Sequence, residues 1–248
     1  MRRKIAALPA MVTLGNLVCG FQSIRMAAQG RFDVAAWLIL AGMIFDALDG
    51  KVARLTKGAS EFGAELDSLA DVVTFGVAPA FLVAAMSKDL GLAHQRLVGL
   101  SCLVYAVCTA LRLARFNVET TADEESHQFF KGLPSPAAAG QVASLAILHL
   151  EVPDVQAVFI IPRILPTVAF FAGVLMVSNV RYPHMVSLLL GGKRNFSDIV
   201  FLVIALILLG TVAEFTLAVA FTLFTLTGVV RALQRRLSHQ DEEEEPIF

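Results

Sequence analysis

Between residues 46 and 71 the chain reads DALDGKVARLTKGASEFGAELDSLAD, and its four aspartates, Asp46, Asp49, Asp67 and Asp71, stand inside or beside strongly apolar segments. Ionised carboxylates at membrane depth are costly and rare, so a chain that keeps four must gather them where something offsets their charge. Asp46, Asp49, Gly50 and Ala53 fall at i, i+3, i+4 and i+7, one face of a helix, and Gly63, Asp67 and Asp71 repeat that face at i, i+4 and i+8. Two helical faces joined by a short polar link bring the four carboxylates together. Two divalent cations would balance them, and an oxygen-only donor set suits hard ions, Mg²⁺ or Mn²⁺. The plainer reading is four separate acids at helix ends, solvated by headgroup water. It serves for any one of them, less well for four in register with small residues between.

The rest of the chain supplies the apolar surroundings. Of 248 residues, 56% are hydrophobic, and the mean hydropathy of +0.70 is that of an all-α integral membrane protein rather than a soluble domain. A helix needs about 20 residues to cross the hydrocarbon, which predicts eight spans, near 8–29, 33–55, 64–87, 94–115, 134–150, 158–178, 198–213 and 215–236. With an even count both termini share one side, and that side takes fifteen of the twenty Lys and Arg. The positive-inside rule makes it cytoplasmic and puts the aspartates at the cytoplasmic ends of spans two and three. The start MRRK leads into an apolar stretch without a small-residue cleavage site, so it reads as part of the first span. Residues 1–237 form one polytopic catalytic domain, and 238–248, with its DEEEEP run, reads as a solvated, disordered acidic tail. The polar stretch 117–131 is a candidate lid or substrate-facing loop. Cys19, Cys102 and Cys108 lack metal-ligand spacing and read as buried thiols. The five histidines are scattered, and a net charge of −1 gives no reason to expect nucleic-acid binding.

Two divalent ions about 3.5–4 Å apart can clamp a phosphoryl group between entering and leaving oxygens. Gly50, Ala53 and Gly63 would let a bulky ligand approach the backbone, or would serve helix packing. Arg54 could donate to phosphate oxygens as a bidentate fork. Arg112 and Arg115, at i and i+3 near the end of span four, and Lys131 before span five form a cationic group suited to a diphosphate or a carboxylate. Asn117 and Ser135 add hydrogen-bonding capacity, and the alternative for the cations is simple anchoring to headgroups. Thr74, one turn past Asp71, either faces the same cavity or packs.

The full pattern, Asp46-x2-Asp49-Gly50-x2-Ala53-Arg54-x8-Gly63-x3-Asp67-x3-Asp71, resembles the signature of the CDP-alcohol phosphotransferase family. That resemblance implies a six-helix core, here with two added C-terminal helices, and transfer of a phosphoalcohol group from a CDP-linked donor with release of CMP. It also implies metal at Asp46, Asp49, Asp67 and Asp71, with Asp71 as general base. Asp49, Gly50, Ala53 and Arg54 would meet the nucleotide, and Thr13 and Asn16 match a TxxN pattern facing it. Read without the resemblance, Thr13 and Asn16 make interhelical hydrogen bonds. Three further segments, VVTFGVAPA (72–80), LRLARFN (111–117) and FKGLPSPAAAG (130–140), resemble the membrane-integral phosphatidylserine synthases of that family. This implies CDP-diacylglycerol as donor, L-serine as acceptor, the cytoplasmic (inner) cell membrane as location and a homodimer. Glycerol 3-phosphate, inositol phosphate or choline as acceptor is the alternative within the family. A divalent-cation transporter is the alternative outside it, but such a site belongs at the membrane midplane, and the Gly-x2-Ala-Arg spacing has no part in it.

Overall fold

The computed structural model describes residues 2–56, 61–91, 94–120, 129–151, 155–183 and 207–243. The chain builds helices α1 (Arg2–Ala28), α2 (Phe32–Thr56) and α3 (Glu61–Asp71), which runs through a π-helical turn (Val72–Val77) into α4 (Ala78–Asp89) as one rod. Then follow α5 (Gln95–Thr120), strand β1 (Phe129–Lys131), α6 (Ser135–Glu151), α7 (Val155–Val177), strand β2 (Arg181–Pro183) and α8 (Ala213–Glu243). Among the described residues the strands form one antiparallel pair, with Phe130 opposite Tyr182 and Lys131 opposite Arg181, and the other regular elements are helices.

Small residues crowd the helix contacts. The central α6 buries Ala137, Ala138, Ala139, Val142, Ala143 and Ala146 completely, and Ala35 and Ala36 of α2 are equally enclosed. Many large apolar side chains point outward, as with Met11, Leu14, Val18 and Phe21 along α1 and Leu97, Leu100 and Leu103 along α5, although Phe75, Leu82 and Tyr105 are fully buried. Small residues at helix contacts and large ones outside is the pattern of helices solvated by lipid. Four helices among the described residues are long and apolar enough to cross a membrane: Phe62–Asp89, Gln95–Val118, Ile160–Val177 and Ala213–Arg231. They coincide with predicted spans three, four, six and eight. Spans one, two and five are present as helices, but the apolar run of the continuous α2 is broken by its own carboxylates and α6 has only 17 residues. Most of the predicted seventh span lies outside the described residues.

Two other expectations change. The 117–131 stretch is regular at both ends, since α5 continues to Thr120 and β1 begins at Phe129; 121–128 lie outside the described residues. The acidic tail starts as helix, since α8 continues to Glu243. Propagating a packed helix needs no new nucleus, and Gln240, Glu242 and Glu243 are adequate helix formers. Cys19 and Cys102 are buried free thiols, as expected, while Cys108 is half-buried.

The entry to α6 is fixed against the end of α7. The Gly132 N–H donates to the Val180 carbonyl at 2.8 Å and the Leu133 N–H to Leu175 at 3.0 Å, supplying donors that the last turn of α7 lacks. Gly132 holds φ +86, and a Cβ there would run into the Met176 carbonyl. Gly132→Ala therefore combines a left-handed backbone with a backbone clash. We expect a loss of about 1–3 kcal/mol, read as a lowered midpoint of thermal unfolding for the detergent-solubilised protein; an unchanged midpoint would mean that this junction does not secure α6.

Candidate active site

Three of the four predicted carboxylates converge. α2 presents Asp46 and Asp49, α3 presents Asp67 and Asp71, and carboxylate oxygens of Asp46, Asp49 and Asp67 all lie within 4.8 Å of one another. Asp49 is buried, while Asp46 and Asp67 are half-buried. Asp49 Oδ2 and Asp67 Oδ1 are buried without a hydrogen-bond partner. Two unit charges about 4 Å apart repel by about 4 kcal/mol at an effective dielectric of about 20, so three mutual neighbours cannot stand ionised without compensating positive charge. Convergent carboxylate oxygens with unused lone pairs are the donors a hard divalent cation takes; the residues present fit such an ion, with Asp46, Asp49 and Asp67 as its holders.

Asp71 stands apart from that trio. It is 7% exposed and has Asp46, Asp67 and Asp49 as charged neighbours. The Asn16 side-chain amide of α1 donates to its Oδ1 at 2.9 Å. Asn16, a nucleotide-facing candidate by resemblance, is thus in direct contact with the candidate base. Its companion Thr13 is buried, donates to the Pro9 carbonyl at 3.1 Å and faces Asp49. Gly50 is exposed, and a Cβ built there would meet nothing within 4 Å. Helix packing therefore does not require a glycine at 50, and the space beside it is open to a ligand. Gly63 lies in the first turn of α3, on the face that carries Asp67 and Asp71.

Of the predicted cationic group, Arg112 and Arg115 are charged neighbours. Arg112 faces Asp71 and Asp46; its Nη1 donates to the buried Ser135 hydroxyl at 2.7 Å, and its Nε is buried with no partner. Two candidates from separate segments, 111–117 and 130–140, are thus brought together beside the aspartates. Arg115 instead donates to the Val177 carbonyl at 3.3 Å, at the exposed C-terminal end of α7. Asn117 donates its amide to Ser68 at 2.9 Å, which ties α5 to α3 one residue beyond Asp67. The side chains of Ala53, Arg54 and Lys131 lie outside the described residues. Sequence reasoning missed Ser68, which follows Asp67 on α3, bonds Asn117 and carries no motif signal of its own. It also missed the π-helical turn that follows Asp71.

Residues 6–180 match the family model described as CDP-alcohol phosphatidyltransferase, and the chain belongs to that family. It is 36% identical over 234 residues to the CDP-diacylglycerol–serine O-phosphatidyltransferase of Helicobacter pylori (strain ATCC 700392 / 26695), covering 91% of this chain and 90% of that protein. The protein of the same name from Bacillus subtilis (strain 168) is 33% identical over 178 residues, 71% of this chain and 90% of its own. That from Mycobacterium leprae (strain TN) reaches 41% over 147 residues, 58% of this chain and 48% of its own.

If the carboxylate trio holds a cation, Mg²⁺ or Mn²⁺ raises the unfolding midpoint of the purified protein, by the equivalent of about 2–3 kcal/mol at about 100 times Kd. Asp67→Asn removes that rise, yet without metal it is at least as stable as the parent, because one like charge has gone. A metal-induced rise surviving intact in Asp67→Asn would take Asp67 out of the site.

Proposed function

We propose that the protein transfers the phosphatidyl group of CDP-diacylglycerol to the hydroxyl of L-serine, giving phosphatidylserine and CMP. The observation that carries this reading is the grouping of Asp46, Asp49 and Asp67 beside a separately held Asp71, with Arg112 facing it from α5. The names of the relatives support serine as the acceptor. In the reaction, the serine hydroxyl oxygen bonds to the phosphorus that carries diacylglycerol, the bond from that phosphorus to the bridging oxygen breaks, and CMP leaves with the electron pair. Two divalent ions at the aspartates would neutralise the diphosphate and the departing CMP. Asp71 takes the hydroxyl proton on Oδ2 while Asn16 holds Oδ1. Arg112 binds the serine carboxylate through its unused guanidinium donors and is steadied by Ser135. The open face of Gly50, with Ala53, Arg54, Gly63 and Thr13, receives the cytidine nucleotide and its phosphates.

The same reading includes eight membrane crossings, a six-helix core with two C-terminal helices, and a catalytic domain ending near 237. It places the site at the cytoplasmic face of the inner membrane, supported by the Lys and Arg asymmetry, in a homodimer among membrane lipids.

The deciding measurement is CMP release by the purified protein from CDP-diacylglycerol with each acceptor in turn, with and without chelator. We expect release with L-serine, abolished by chelation. Release that depends on glycerol 3-phosphate, inositol phosphate or choline and not on serine would reassign the acceptor. Asp71→Asn should bind donor and lose transfer by about 10²–10⁴-fold, and full turnover by that variant would refute the base assignment.

Arg112→Gln removes a charge-assisted contact of about 1.5–3 kcal/mol, so the KM for L-serine should rise by about 10–100-fold with the donor KM little changed. Equal effects on both substrates would give Arg112 to the diphosphate instead.

A further inference from the structure

Asp71 is the last residue before the π-helical turn, and the backbone changes pitch there for a reason visible in the sequence. Pro79 has no N–H to offer the Phe75 carbonyl four residues earlier, and its ring would crowd that carbonyl in a regular α-helix. The chain widens instead: the Ala78 N–H donates to Val73, five residues back, and the buried Tyr105 hydroxyl of α5 donates to the Phe75 carbonyl at 2.9 Å. π-helical turns occur often at functional sites.

The turn brings Thr74 against α1. Its hydroxyl donates to the Asn16 backbone carbonyl at 2.9 Å, while the Asn16 side chain donates to Asp71 at 2.9 Å. One turn of α1 is therefore joined to the 71–74 segment by two hydrogen bonds running in opposite directions. Neither neighbouring helix leaves slack. A Cβ at Gly20 of α1 would lie 2.8 Å from the Thr74 Cα, and one at Gly42 of α2 would lie 2.5 Å from its methyl group and 3.0 Å from Asn16 Oδ1. Asn16 and Thr74 are fully buried, so water cannot replace either bond.

We propose that Thr74 is a positioning residue for the phosphatidyl transfer. By fixing the backbone of Asn16 it sets the amide that orients the Asp71 carboxylate, and the π-helical turn places its hydroxyl for that task. This rests on Asp71 being the base of the proposed reaction. Thr74 touches no substrate; it acts through Asn16.

The test compares Thr74→Val, which keeps the shape and loses the hydroxyl, with Thr74→Ser, which keeps the hydroxyl. Both are measured as full-length purified protein by CMP release with saturating L-serine and varied CDP-diacylglycerol. A carboxylate displaced by a fraction of an ångström costs rate rather than binding, so kcat should fall by about 10–100-fold in Thr74→Val with donor KM within about twofold of the parent. Thr74→Ser should recover most of that loss. In an Asp71→Asn background Thr74→Val should add almost nothing, since its route to the reaction is already cut. A parental kcat in Thr74→Val overturns the proposal, as does a loss that Thr74→Ser fails to recover. Should Thr74→Val unfold, the comparison rests on Thr74→Ser with Asn16→Ala: a folded Asn16→Ala that keeps the parental kcat also overturns it. Full turnover by Asp71→Asn alone would instead defeat the base reading beneath it.

Discussion

Mutual repulsion among carboxylates in apolar surroundings sets the terms for every element near the site. Asp46, Asp49 and Asp67 are held with oxygens within 4.8 Å, and each helix packed around them brings a group that offsets or orients charge. α1 contributes the Asn16 amide on Asp71 and the Thr13 side chain facing Asp49. α5 contributes Arg112, and α6 contributes Ser135, which holds that arginine at 2.7 Å. A cation held by the trio would offset that repulsion.

Lipid as solvent explains how the helices come close enough for this. With little hydrophobic gain to be had between helices in hydrocarbon, close approach and internal hydrogen bonds carry the packing. Gly173 of α7 shows the approach, since a Cβ there would sit 2.9 Å from the Tyr105 Cα of α5. The hydrogen bonds reach the C-terminal helix as well. Tyr182 of β2 donates to the Thr225 carbonyl of α8 at 3.2 Å, and the Thr225 hydroxyl donates to Gln141 of α6 at 2.9 Å. α8 is thereby tied to the helix that begins at Ser135, and through β2 to the strand that leads into it. A helix outside the signature is thus mechanically connected to the arginine at the site.

The aspartate cluster was legible because its information is local: spacing along two helices decides which faces the acids share, and lipid makes four acids within apolar segments improbable by chance. The pairing of Arg112 with Ser135 was half legible. Both residues were candidates, but their contact joins α5 to α6 across a stretch where spacing says nothing. Arg115 and Asn117 sit three and five residues from Arg112, and sequence alone could not assign them to the Val177 carbonyl and to Ser68, because those partners are fixed by tertiary packing. The π-helical turn left one readable trace, Pro79 within a span, four residues after a carbonyl that would need another donor. The hydroxyl that answers it, Tyr105, is 30 residues away. The strand pair likewise depends on neighbours rather than on local pattern.

The choice of asparagine beside Asp71 follows from the same electrostatics. In the proposed reaction the carboxylate that takes a proton must remain distinct from the three proposed to share a cation, though all four are close neighbours. A lysine or arginine donating at that point would neutralise Asp71 and weaken it as a base. A hydrophobic residue would leave a buried carboxylate oxygen without a partner, at a cost of about 1–3 kcal/mol or more. An amide donates one hydrogen bond, adds no charge and cannot itself take the proton, so it fixes one oxygen and leaves the other for the incoming hydroxyl. That division works only if the amide cannot rotate away. Gly42 lies close against the Asn16 amide oxygen and Thr74 holds the Asn16 backbone carbonyl, and so, in the proposed reaction, the pitch change after Asp71 belongs to the chemistry as much as to the fold.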